Sequence, residues 1–127
     1  ARTPEQAGEQ VVATFRTIGS PAYPLDEDFL RAYGRGAYTR NRDPDGGRRQ
    51  LAAVLASPDR RPALGTVTAP TLVLHGEADP LIPLAGGLAT AQAVPGARLV
   101  TFPGMGHDLP RALHRRVAEE TAALVHG

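Results

Sequence analysis

Thr71-Leu72-Val73-Leu74-His75-Gly76-Glu77-Ala78-Asp79-Pro80 is the stretch on which the fold turns. Its first half is a short apolar run bounded by Pro70 and Gly76, too brief for a buried helix and without the alternation of a half-exposed strand. It predicts a strand buried on both faces. Downstream, Pro83 to Val94 suits a helix, with Pro83 in its first turn and Leu84, Leu88, Ala91 and Val94 on one stripe. Pro95-Gly96 ends it, and Arg98 to Phe102 gives a second strand. Pro103-Gly104-Met105-Gly106-His107 follows as a loop, and Asp108 is expected to cap a last helix carrying Leu113, Val117 and Leu124. The order β-α-β-α implies a parallel strand pair with a right-handed crossover.

In an open parallel sheet, ligands gather beyond the carboxyl ends of the strands. Two segments lie there: His75 to Pro80, and Pro103 to Asp108. Neighbouring strands run ~4.8 Å apart, so their exit loops are neighbours as well. Asp79 stands four residues past His75, and His107 five past Phe102. Similar reach from adjacent strands predicts a hydrogen bond between Asp79 and His107. A carboxylate that holds an imidazole by one nitrogen leaves the other free to act as a base. The glycines flanking Met105 suit a loop that must place a histidine tightly. Other titratable residues are read more plainly: His75 makes a structural hydrogen bond, Glu77 is a loop carboxylate, and His114 and His126 are solvated. No histidine pair has metal-ligand spacing with a nearby carboxylate, and His107, Asp108 and His114 are too loosely spaced for zinc, so neither metal nor cofactor is expected.

Upstream of Ala69-Pro70 the patterns are helical and broken by proline and glycine. Residues Pro4 to Ile18 place Ala7, Val11, Phe15 and Ile18 on one stripe, stopped by Gly19-Ser20-Pro21. A second helix starts near Leu25-Asp26 and carries Phe29, Leu30 and Tyr33 on one side. Gly34 and Gly36 should weaken its far end by ~1 kcal/mol each relative to alanine. Asp43-Pro44-Asp45-Gly46-Gly47 reads as a turn, a third helix runs through Gln50, Leu51, Val54 and Leu55, and residues 59–70 read as a connector.

The 127 residues suit one domain, 42% hydrophobic and 21% charged. The net charge of +1 and an aromatic share of 5% supply neither a phosphate-neutralising patch nor a stacking platform, so nucleic-acid binding is not expected. All 14 basic residues are arginine, scattered or beside acids, which reads as codon bias from a high-GC genome. Without cysteine there is no disulfide, thiolate metal site or cysteine nucleophile. No apolar run approaches ~18 residues, and the start has neither a signal-type segment nor methionine. A cytoplasmic, non-membrane protein with an internal or processed start is the resulting expectation.

Pro70-Thr71-Leu72-Val73-Leu74-His75-Gly76-Glu77-Ala78-Asp79-Pro80-Leu81-Ile82-Pro83, followed by Gly104-Met105-Gly106-His107, resembles the C-terminal half of the α/β-hydrolase fold superfamily. Upstream, Gly47-Arg48-Arg49-Gln50-Leu51-Ala52-Ala53-Val54 and Ser57-Pro58-Asp59-Arg60-Arg61 resemble the lid and return segment of the aclacinomycin methylesterase-like subgroup. The resemblance implies a partial α/β-hydrolase fold: residues 1–64 as helical lid and return segment, 65–127 as the C-terminal part of the core. It implies Asp79 as triad acid, His107 as general base, and a lid that selects substrate. Phe29, Tyr33, Leu81 and Met105 are candidates to line an ester pocket, although core packing is the commoner fate of such residues.

The sequence departs from the family's pattern at the nucleophile elbow and at the oxyanion-hole segment, both of which it lacks. It contains no G-x-S-x-G elbow. Ser20, before a proline, and Ser57, at a helix end, both lack the strand-elbow-helix setting. The same missing elbow would carry an aspartate nucleophile, so serine and aspartate both stay open for the parent enzyme. The expectation is therefore a portion of a hydrolase acting on a small ester-like substrate, supplying acid and base and inactive alone. The competing expectation is a non-catalytic module that works through homo-oligomer formation or by pairing with the missing N-terminal half, because two strands alone leave both sheet edges open.

Overall fold

The computed structural model describes residues 1–41, 43 and 45–126. Its helices are α1 (Pro4–Ile18), α2 (Glu27–Arg40), α3 (Gly46–Ala56), the one-turn α4 (Arg61–Leu64), α5 (Leu84–Ala93) and α6 (His114–His126). The strands β1 (Leu72–Gly76) and β2 (Arg98–Phe102) pair in parallel, Leu72 opposite Arg98 and Gly76 opposite Phe102. Contacts divide the chain into two compact units, one made of 1–13 and 26–60, the other of 14–25 and 61–127.

The second unit contains the sheet. α5 connects the two strands and packs on both, and α6 packs on β1. Its apolar interior is lean, with Val94 and Phe102 buried. The His75 ring lies against α5 at Gly87, where a Cβ would stand 2.7 Å from its Nδ1, and its Nε2–H donates to the Ile82 carbonyl at 2.9 Å. Arg98, at the start of β2, pairs with Glu120 of α6, which Arg116 also holds at 2.6 Å. These two guanidinium groups keep the Glu120 carboxyl below the usual range.

Residues 14–25 belong to the same unit as the strands. They cover the loop 103–108, with Ala22 N–H on the Gly104 carbonyl at 3.3 Å and His107 N–H on the Ile18 carbonyl at 2.7 Å. Gly104 has φ +70°, a conformation that favours glycine.

In the first unit, Val12 and Leu30 are buried. α1 and α2 meet at glycines: a Cβ on Gly34 would lie 2.7 Å from the Ala7 carbonyl oxygen and 2.8 Å from the Gly8 Cα. Gly34 thus lets two backbones touch, and the helix runs on to Arg40. Asp26 caps α2 by accepting from Phe29 N–H at 3.0 Å. Leu30 points inward while Phe29 and Tyr33 are exposed and stack with ring centroids 6.4 Å apart. Of the turn expected at 43–47, Pro44 lies outside the described residues, and Gly46 already opens α3. The expected connector 59–70 includes α4.

Asp108 does not cap the last helix. α6 begins at His114, after a 3-10 turn at Arg111–Leu113. The Asp108 carboxylate instead accepts a hydrogen bond from Ser20 Oγ. No described helix is long and apolar enough to cross a membrane.

Candidate acid–base site

β1 and β2 end level with each other, Gly76 opposite Phe102, so the loops that leave them start side by side. A Cβ on Gly76 would stand 2.3 Å from the Met105 carbonyl oxygen, which shows how closely the second loop crosses the first strand's end. The loops are also tied by backbone bonds, from Glu77 N–H to the Phe102 carbonyl at 3.1 Å and from Ala78 N–H to the Met105 carbonyl at 2.9 Å.

This arrangement brings Asp79 and His107 into contact, as their spacing predicted. Asp79 Oδ2 lies 2.8 Å from His107 Nδ1. An ionised carboxylate only accepts, so Nδ1 carries the proton and Nε2 presents its lone pair in the neutral ring. Nε2 meets no hydrogen-bond partner among the described residues. The other carboxylate oxygen, Oδ1, accepts from Leu81 N–H at 2.8 Å and Ile82 N–H at 2.9 Å. The Asp79 side chain is 6% exposed and that of His107 40%, so the acid is sheltered and the base is open.

Burial by itself would raise the Asp79 pKa, but the hydrogen bond from Ile82 N–H, that from His107 and that from Leu81 N–H outweigh it and hold the carboxyl below its usual value. A depressed native pKa adds stability that is fully present above the unfolded value of about 3.9 and is lost as pH falls through the lowered native one. Asp79→Asn keeps an acceptor for the two backbone N–H groups but removes the charge. The stability difference between wild type and this variant, measured by urea unfolding, is therefore expected to be largest at neutral pH and to shrink below pH ~3.9. An unchanged difference at acid pH would show that the carboxylate's charge is not what the site stabilises.

The remaining candidates fall in two places. Phe29 and Tyr33 are exposed in the first unit. Leu81 is exposed and Met105 half-buried, and both lie in the unit that holds the pair. Glu77 accepts from Thr101 Oγ1 at 2.7 Å, a contact between the exit of β1 and the strand β2. His114 Nε2–H reaches the Leu109 carbonyl at 3.3 Å, while His126 is exposed. No group of three or more potential metal-ligating side chains occurs among the described residues.

The sequence reading missed Ser20. It is buried, donates its hydroxyl proton to Asp108, and accepts from Gly106 N–H at 2.8 Å. Its partners lie 86 and 88 positions away, beyond any local pattern.

The profile of the TAP-like protein family matches residues 51–124, more than half of the chain. The chain belongs to that family. This TAP-like chain is 30% identical over 123 residues to the rhodomycin D methylesterase DnrP of Streptomyces peucetius, covering 97% of the chain and 41% of the relative. It is 38% identical over 73 residues to a pimeloyl-[acyl-carrier protein] methyl ester esterase of Xanthomonas campestris, covering 51% of the chain and 29% of the relative. Among solved structures, a serine hydrolase involved in carbazole degradation superposes with a TM-score of 0.67 at 18% identity, over 94% of the chain and 47% of the hydrolase. That likeness shows the fold. The TAP-like chain thus has a partial α/β-hydrolase fold and spans less than half the length of the relatives it matches.

Proposed function

We propose that this chain provides the acid–base half of an ester hydrolase. The observation that carries the reading is the Asp79–His107 bond of 2.8 Å, with the carboxylate sheltered and the imidazole open. In this reading His107 Nε2 takes the proton of an attacking hydroxyl and later delivers it to the departing alkoxide. Asp79 fixes the Nδ1–H tautomer and stabilises the imidazolium formed in between. The nucleophile and the oxyanion donors come from residues outside these 127, since no G-x-S-x-G elbow is among them.

A methyl or other small alkyl ester is the substrate class, in keeping with the methyl ester esterases that the chain resembles. Leu81 and Met105, both in the strand unit, are the residues proposed to meet its apolar part. The lid role implied for the helices before Pro70 belongs to the same reading. The two outer edges of the β1–β2 pair carry no further strand among the described residues. Strands of the nucleophile-bearing part are proposed to occupy them, with a second copy of this chain as the alternative occupant.

Hydrolysis of p-nitrophenyl butyrate and of a methyl ester tests the proposal, measured on the 127-residue chain and on a longer form that includes an elbow. Turnover is expected only in the longer form. Turnover by the 127-residue chain that disappears in His107→Ala would place a nucleophile within it and overturn the division of labour.

A further inference from the structure

We propose that Ser20 and Asp108 form a clasp that positions the His107 imidazole. Three successive residues of the histidine loop are tied to two residues where α1 ends, Ile18 and Ser20. Gly106 N–H donates to Ser20 Oγ at 2.8 Å, His107 N–H donates to the Ile18 carbonyl at 2.7 Å, and the Asp108 carboxylate accepts from Ser20 Oγ. Gly19, between the two anchors, lies so close that a Cβ on Gly106 would stand 2.3 Å from its carbonyl oxygen. All of these residues belong to the same compact unit as Asp79.

The chemistry of the hydroxyl explains why one side chain serves both flanks. Serine has one proton to give and lone pairs to accept. Here the proton goes to the residue after His107 and a lone pair takes the amide before it. Ser20 is 9% exposed, so its removal would leave a buried amide and a carboxylate without their partner. The same bonds also commit the Ser20 hydroxyl, which makes it a structural group and not the missing nucleophile.

His107 is thus held from two sides. The strand ends supply Asp79, which takes Nδ1–H, and the 18–20 segment fixes the backbone from which the ring projects. The first contact selects the tautomer, but only if the second keeps the ring within reach. Ser20 and Asp108 are accordingly positioning residues. Their consequence for turnover rests on the reading of His107 as the base, whereas the clasp itself does not.

Long-range proton–nitrogen correlation spectra of the 127-residue chain, recorded above the usual imidazole titration range, test the clasp. Wild type should show His107 as the Nδ1–H tautomer, and Asp79→Asn marks the pattern of a ring without its acceptor. Ser20→Ala is expected to lower the Nδ1–H population about twofold or more, and Ser20→Thr, which keeps the hydroxyl, to preserve it. A folded Ser20→Ala chain with the wild-type tautomer overturns the proposal. If Ser20→Ala does not fold, Asp108→Ala retains the Ser20–Gly106 bond and is read in the same way, with an unchanged tautomer again overturning it. In an elbow-bearing form, Ser20→Ala should lower kcat about 10²-fold with KM within about twofold. Should that form lack esterase activity, the functional reading fails while the tautomer result still decides the clasp.

Discussion

In a form of this protein that carries a nucleophile elbow, His107→Ala is expected to lower kcat for ester hydrolysis about 10⁴-fold, with KM changed little. The argument starts from geometry. Among the described residues one ring nitrogen is engaged, by a carboxylate that is itself held by two backbone amides. In the proposed reading the other is the base. A neutral hydroxyl is a poor nucleophile, and a positioned base lowers its barrier by taking the proton as the new bond forms. Alanine offers no acceptor, and water in its place is neither oriented nor basic enough. In the proposed reading His107 acts on the proton and not in binding, so the loss should appear in kcat and not in KM. Steady-state kinetics on one ester decide the matter, and a loss under about tenfold would remove His107 from the reaction.

The second large effect concerns folding. Gly76→Ala is expected to destabilise the strand unit by about 3 kcal/mol or more, and thus to lower the melting temperature by roughly 10 °C. The new methyl would lie 2.3 Å from the Met105 carbonyl oxygen and 2.7 Å from that of Gly106. Both are backbone atoms, so no side-chain rotation relieves the clash. The loop must withdraw from the strand end, and the bond from Ala78 N–H to the Met105 carbonyl goes with it. Thermal unfolding followed by circular dichroism measures this. A change below about 1 kcal/mol would mean that the two loops are not packed as tightly as described. The substitution should also reach function, because the displaced loop carries His107.

What was legible in the sequence was what repeats locally. The apolar run 72–75 and the Pro/Gly punctuation around it marked β1, and Arg98 to Phe102 matched β2. Equal reach beyond two adjacent strands was enough to bring Asp79 to His107, because a parallel ladder fixes where both loops begin. Residues whose partners lie far along the chain were not legible. Asp108 sits just before a helical pattern, which favours a cap, and only the fold shows that Ser20 reaches it first. Gly34 looks like a weak point within its own helix and becomes a contact point only when Ala7 and Gly8 lie against it. Leu30 and Phe29 are consecutive in an apolar cluster, and the direction of burial separates them.

Ile82 is gripped at both of its peptide groups: Asp79 takes its N–H, and the His75 imidazole takes its carbonyl. The segment from His75 to Ile82 is therefore a closed ring of fixed circumference, fastened at one end to the sheet. Such a ring can exchange side chains at its outward positions, but it has no slack to absorb a residue gained or lost. Insertions and deletions should be tolerated in the connector before β1 and excluded here, so that the number of residues in this loop is constrained more strictly than their identity.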